Sequence, residues 1–352
     1  MNSPLILSVD AMGGDAAPEI VVEGAAGFLK GRRRPVRLLL HGDAERIEPL
    51  LDKHPEVRAA SEVRHTAEEV DMTTRPSEAV RRARGSSMWN AVHAVKDGEA
   101  HVAVSAGNTG ALMAISKVIL RMKPGVHRPA IAASWPGPKG FTTVLDVGAN
   151  VDCTPAQLVE FAVLGEAFHR ALRDVKRPTV GLLNVGQEEL KGDQVVRDAD
   201  TLLREAELDM DYQGFVEGDD ISLGTTDVVV TDGFTGNVAL KTAEGTARLL
   251  GGWMKEAFTG SVLAKAGAFL LSLSSLRQLR ERMDPGNVNG GVFLGLNGVV
   301  VKSHGGATGP SFATALRIAL EMADSDFLTE IEQNLSRLSA TEERMAEKKE
   351  TA

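Results

Sequence analysis

The sequence predicts an α/β protein in three layers, a mostly parallel sheet with helices on both faces. Three observations carry this. Short runs of four to six residues, rich in valine and leucine, recur without polar alternation, the pattern of strands buried on both faces. Each run ends in glycine and polar residues ahead of a helix-like stretch, the punctuation of repeated βα units. Thirty-six glycines with only 4% aromatic residues suit many tight strand-to-helix turns better than an all-β sandwich.

The elements follow in order. An apolar run from Pro4 to Leu7 leads into "SVDAMGGD" (8–15), and "AAPEIVVEGAAGFL" (16–29) then reads as a helix. Further strand-and-turn units are "VRLLLHGD" (36–43), "HVAVSAGNTGAL" (101–112), "FTTVLDVGAN" (141–150), "TVGLLNVG" (179–186), "DVVVTDGFTGN" (227–237) and "GVVVKSHGG" (298–306). Helices are predicted over Ser77 to Val95, Gly110 to Arg121, Thr154 to Arg173 and Gly236 to Trp253, and one opens near Pro310 and Ser311. Thr154 followed by Pro155 is the usual N-cap and first-turn signal.

With 352 residues, the expected organisation is one catalytic module over 1–335, open to division into two lobes around a cleft, and a charged, apolar-poor tail over 336–352. Residues 249–284 stand apart. Val262, Ala266, Phe269, Leu270, Leu273 and Leu276 share one helical face, with Lys265, Arg277, Arg280 and Arg282 off it or at its end. Two readings fit: a core or dimer-interface helix, or an amphipathic helix resting on anionic membrane.

A net charge of −9 argues against general nucleic-acid binding, which needs broad positive potential. Cys153 is the single cysteine, so there is no internal disulfide and no multi-cysteine zinc site, and a reducing cytoplasm is compatible. "MNSPLILSVD" has no basic leader and is not expected to be a signal peptide; no segment approaches the roughly 20 apolar residues of a membrane span. The sequence holds no GxxxxGK[ST], GxGxxG, HExxH or GxSxG, so P-loop, nicotinamide, zinc-protease and serine-hydrolase readings lack their motifs.

In open α/β sheets ligands bind beyond the carboxyl ends of the strands. The groups there are Asp10 with Gly13 and Gly14, Ser105–Gly110, Asp146–Asn150, Asn184–Lys191, Thr231–Lys241 and Ser303–Gly306, expected along one sheet edge. Two end at a lysine, and a lysine beside helix-start amides makes an anion site. "SVDAMGGD" admits an anion cradle, a metal site or a tight turn. His304, in a strand-end loop, suits proton transfer near neutral pH. Cys153 reads as a small buried thiol rather than a nucleophile.

Taken in order, "DAMGGD", "RRARGSSM", "SAGNTGALMA", "RPAIA", "DVGANVDC", "NVGQEELKG", "VVTDGFTGNVALKTAEG" and "DPGNVNGGVFLGLNGVVVKSHG" make the chain resemble the bacterial phosphate acyltransferases of the PlsX family, which make acyl phosphate from acyl-(acyl carrier protein). "GSSM" and the glycine-rich "GGATG" after His304 depart slightly from the pattern. The resemblance implies an isopropylmalate-dehydrogenase-like or phosphotransacetylase-like fold, a homodimer, and a role in phospholipid synthesis. It implies a cytoplasmic protein peripherally associated with the membrane, beside a membrane glycerol-phosphate acyltransferase. No cofactor and no metal are expected, and a metal site becomes the least favoured reading of "SVDAMGGD".

On that resemblance, Lys191 and Lys241 supply charge to phosphate or oxyanion, with His304 as proton donor or phosphate ligand. Asn108, Thr109 and Asn237 are neutral donors, and Gly13, Gly14, Gly110, Asn150 and Gly305 complete the phosphate site. Asp10, Asp146 and Asp232 are support: Asp10 orients a lysine or backbone amide, and Asp15 caps the first helix. Arg81, Arg82 and Arg84 are one candidate dock for the acidic acyl carrier protein, and Arg121, Lys123 and Arg128 another. Phe269, Leu270, Leu273 and Leu276 are the candidate membrane contacts. Rival readings are a phosphotransacetylase acting on acyl-coenzyme A, an NAD-dependent decarboxylating dehydrogenase and a non-enzymatic membrane scaffold.

Overall fold

A computed structural model of the chain describes residues 4–30, 34–173, 175–206, 208, 210–259, 290–325, 328–329, 331–333 and 335–336. Phe269, Leu270, Leu273 and Leu276, with the rest of the 260–289 stretch, lie outside the described residues, as does the tail beyond 336.

Among the described residues, eleven strands form one sheet: β1 (Leu5–Asp10), β2 (Val36–Gly42), β3 (Ser61–His65), β4 (Val102–Ser105), β5 (Ala130–Gly137), β6 (Gly140–Leu145), β7 (Thr179–Leu183), β8 (Asp211–Val216), β9 (Val228–Val230), β10 (Gly291–Leu294) and β11 (Val299–Lys302). Their order is β3-β2-β1-β4-β11-β10-β5-β6-β9-β7-β8. The helices are α1 (Glu19–Leu29), α2 (Ala44–Lys53), α3 (Pro55–Ala60), α4 (Pro76–Arg82), α5 (Ser87–Lys96), α6 (Thr109–Leu120), α7 (Pro155–Arg173), α8 (Gln194–Glu205), α9 (Gly218–Leu223), α10 (Gly233–Thr259) and α11 (Gly309–Asp324).

The continuous apolar runs are strands whose successive side chains enter two different cores. Val102 and Val104 of β4 face the core beneath α1, α7 and α11, while Ala103 joins the core of α5 and α6 on the other face. α7 is buried continuously from Gln157 to His169, and being enclosed on every side it carries no polar face. Its two buried carboxylates are answered within the fold, Glu160 by His127 and Glu166 by Arg170.

Three expectations change here. The stretch 77–95 is two helices, because Gly85 turns the chain at φ +86° and the Ser86 hydroxyl then caps α5. Asp15 does not cap α1: Pro18 holds that position, and Asp15 instead donates its amide to the Gly305 carbonyl at 3.0 Å. Nor do the strand ends share one edge. β10 is antiparallel to both β11 and β5, and β5 is antiparallel to β6. The sheet is therefore two parallel blocks of opposite direction: β1 to β4 with β11 point one way, β6 to β9 the other.

Candidate active site

A cleft of about 660 Å³ lies where the two blocks meet. Its floor is the antiparallel seam, with Ile131 and Ala133 of β5 and Gly291 of β10. One wall comes from the first block: Thr109 at the start of α6, Lys302 closing β11, and the 303–307 turn into α11. The opposite wall comes from the second block: Val147, Gly148 and Val151 after β6, and Phe234, Asn237, Leu240, Lys241, Glu244 and Arg248 along α10. The seam replaces the expected shared edge: loops that leave opposite edges face one another across it.

The first wall is set by the glycines of "SVDAMGGD", which serve neighbouring backbone. A Cβ on Gly13 would stand 2.5 Å from Asp10 Oδ2 and 2.7 Å from the Gly107 nitrogen. Gly14 has φ +112°, and its Cβ would lie 3.2 Å from the Gly305 oxygen. Neither glycine lines the cleft among the residues that do. Asp10 is buried; it accepts from the Ser105 hydroxyl at 2.7 Å and the Met12 amide at 3.3 Å, and burial raises its pKa. The Ser303 amide donates to the Ser105 carbonyl, extending the β4–β11 ladder towards His304.

His304 Nδ1 accepts from the Gly306 amide at 3.1 Å. The neutral ring therefore carries its proton on Nε2, and Nε2 lies 3.4 Å from Lys241 Nζ. Burial, and then Lys241, push the His304 pKa below the ordinary histidine value. Lys241 also pairs with Glu244 at 2.9 Å, and Arg248 approaches the same carboxylate at 3.5 Å. Lys302 is buried; its ammonium donates to the carbonyls of Ala106, at 3.4 Å, and Ser303, and burial pushes its pKa down to about 8.

The second wall is framed by two aspartates. Asp146 is fully buried and accepts from the amides of Ile131, Gly148, Ala149 and Asn150 and from the Asn150 side chain. Burial raises its pKa, with those donors pulling the other way. Asp232 takes the Thr235 amide and hydroxyl, both at 2.8 Å, and so caps the opening of α10. Burial, with Asp146 and Asp232 nearby, pushes the Cys153 thiol up to about 12, so it stays protonated and is no nucleophile at neutral pH.

Of the residues singled out in the sequence, Lys241, His304, Thr109, Asn237 and Gly305 line the cleft. Gly148 packs against Asn237, whose amide makes no hydrogen bond among the described residues. Asn108 and Asn150 are placed otherwise. Asn108 caps α6 through Ala111 and donates to the carbonyls of Met72 and Thr74, so both its amide hydrogens are committed. Asn150 is buried, donating to Pro129 and Asp146. Gly110 packs against Pro76, where a Cβ would come within 2.9 Å. Lys191, on the loop after β7, is solvent-exposed and pairs with Glu188 at 2.8 Å. Arg81, Arg82 and Arg84 are exposed at the end of α4, with Arg82 paired to Glu78 and Arg84 over Trp89. Lys123 leaves its proposed cluster: it is buried against Glu332, and only Arg121 and Arg128 stay exposed.

The sequence reading missed Lys302, Glu244 and Arg248. "VVVK" carried a signal, a charge closing a strand buried on both faces. Lys241, Glu244 and Arg248 also recur at helical spacing on one face.

The architecture is that of the phosphotransacetylases. A phosphotransacetylase from Streptococcus pyogenes superposes with a TM-score of 0.61 at 18% identity, over 91% of this chain and 94% of its own. That likeness is one of fold. Sequence relatives supply the family. A family model described as fatty acid synthesis protein matches residues 5–330. A phosphate acyltransferase from Maricaulis maris is 64% identical over 96% of both chains. Another, from Caulobacter vibrioides, is 59% identical over 97% of this chain and 94% of its own. The chain belongs to the phosphate acyltransferase family and is an acyltransferase.

Proposed function

We propose that the cleft transfers a fatty acyl group from acyl-(acyl carrier protein) to inorganic phosphate, giving acyl phosphate for phospholipid synthesis. The observation that carries this reading is the pair of donors, Lys241 Nζ and His304 Nε2, 3.4 Å apart at one end of a cleft whose other lining includes Ile131, Val147, Val151, Phe234 and Leu240. An anion accepts from both donors; the apolar lining suits an acyl chain. The family names of the relatives support the same chemistry.

A hydrogen-phosphate oxygen attacks the thioester carbonyl, and the carbonyl electrons move onto oxygen. Collapse of that oxyanion breaks the C–S bond, and the phosphate's proton ends on the departing thiol. The protein positions the reactants and stabilises charge. Neutral His304, with Nδ1 committed to Gly306, offers Nε2–H to the phosphate or the oxyanion. It acts as a hydrogen-bond ligand rather than as an acid. Lys241 supplies the full charge. Asn237 adds a neutral donor from α10, and Thr109 one from the first wall.

Lys191 joins the anion site when Glu188 releases it; an exposed pair of this kind is worth only about 0–1 kcal/mol. Arg81, Arg82 and Arg84 form the dock for the acidic carrier protein. The chain acts as a homodimer, in the cytoplasm, on the membrane face beside a membrane glycerol-phosphate acyltransferase. Exposed Leu249, Leu250 and Trp253 on α10, leading into 260–289, support an apolar contact there. No helix among the described residues is long and apolar enough to cross a membrane.

The test is phosphate-dependent release of free carrier thiol from acyl-(acyl carrier protein), with hydroxamate trapping of acyl phosphate. Thiol release without trapped hydroxamate would sink the reading. Turnover restricted to acyl-coenzyme A would make the protein a phosphotransacetylase instead.

A further inference from the structure

We infer that Lys302 is a third cation of the phosphate site, binding inorganic phosphate directly. The inference rests on the acyl-to-phosphate reading above and adds a residue to it.

Most buried charges in this fold are answered at contact. Lys123 meets Glu332, Glu160 meets His127, and Asp200 meets Arg204 and Tyr212. Lys302 is different. Its side chain is only 9% exposed as a residue, yet its ammonium makes no ion pair among the described residues. Two of its three hydrogens go to the carbonyls of Ala106 and Ser303, neutral acceptors that aim the group without neutralising it. A buried ammonium left in that state is costly unless an anion completes it. Lys302 lines the cleft beside His304, and Lys241 stands across from it. Phosphate bound there gains a donor from each wall.

The groups around this ammonium divide by sign. Asp10 of β1 and Asp15 of the following turn favour the charged form, and Lys241 of α10 opposes it. His304 lies on the adjoining turn and is neutral at pH 7. The flanking strands β4, "VAVS", and β10, "GVFL", bring no titratable side chain. Asp10 itself does not line the cleft. It is held by Ser105 and the Met12 amide.

The decisive measurements are phosphate affinity of the wild-type protein and of Lys302→Met by calorimetry from pH 6.5 to 9, and steady-state constants for Lys302→Met and Lys302→Arg. Wild-type affinity should fall as pH rises through about 8. Phosphate's own second ionisation works in the opposite direction, since the dianion binds cations better. Lys302→Met should raise the KM for phosphate on the order of 10- to 100-fold and leave the KM for acyl-(acyl carrier protein) unchanged. Lys302→Arg, permanently charged, should lose the alkaline fall.

A phosphate affinity with the same pH profile in Lys302→Met as in the wild type overturns the inference. So does Lys302→Met with wild-type KM for phosphate. If the wild-type protein itself shows no phosphate-dependent thiol release, the underlying reading fails instead, and the two failures are told apart.

Discussion

Lys241 Nζ stands 3.4 Å from His304 Nε2 although the two residues are 63 positions apart. Lys241 belongs to α10, in the block that runs one way, and His304 to the turn after β11, in the block that runs the other. The contact closes the cleft across the seam, so the proposed anion site needs both blocks in place. Both groups donate into the same space. Replacing either with alanine should lower kcat/KM on the order of 10²- to 10³-fold, as loss of one transition-state donor does. The double variant should lose less than the product of the two, because they serve one anion. Strict additivity in a kinetic cycle would separate their roles.

Two asparagines from strand-end motifs should part company. Asn108 is committed to the α6 cap and to the carbonyls of Met72 and Thr74. Asn108→Ala should cost about 1–2 kcal/mol of stability, seen in a urea midpoint. Asn237 lines the cleft. Asn237→Ala should leave the midpoint in place and lower kcat. The reverse pattern would exchange their assignments.

Gly13 has no room for a side chain, since a Cβ would sit 2.5 Å from Asp10 Oδ2. Gly13→Ala must push Asp10 from Ser105 or part the β1 and β4 loops. A loss of about 1–3 kcal/mol is expected by overpacking, measured by denaturation. Unchanged stability would mean that the loop yields freely and is no frame.

His41 is buried against the Ser8 hydroxyl at 2.9 Å, and burial lowers its pKa from 6.5 to about 4. The unfolded chain therefore binds this proton first as pH falls. Stability is full above about 6.5 and is lost as pH drops towards 4. By linkage the loss from this one group is about 2 kcal/mol at pH 5. Urea midpoints at pH 7 and pH 5 measure it, and His41→Gln should flatten the difference. A variant with the wild-type slope would place the acid sensitivity in other groups.

Lys191 is held by Glu188 in solvent. If it serves phosphate on release, Glu188→Gln should lower the KM for phosphate a few-fold, since an exposed pair competes by no more than about 1 kcal/mol. Lys191→Ala should raise it. Unaltered turnover of Lys191→Ala, at limiting and at saturating phosphate, would remove Lys191 from the reaction.

Much was legible in the sequence because it was written locally. Valine-rich runs without alternation gave the double-sided burial of β1, β4, β9 and β11, since residues buried on both faces need no polar partner. Thr154 and Pro155 marked the opening of α7, and Lys241 and His304 were visible as a lysine and a histidine just past strand ends. β5 and β10 were overlooked: "GVFL" is only four residues, and nothing local in it or in "AIAASWPG" says that the two run antiparallel. That reversal belongs to tertiary structure, because strand direction follows from which partners the whole chain leaves free. It set two opposed walls in place of one edge and brought Lys241 of one block to His304 of the other. Residue types and periods are properties of a stretch of chain. A charge's partner, or the lack of one, is a property of everything folded around it.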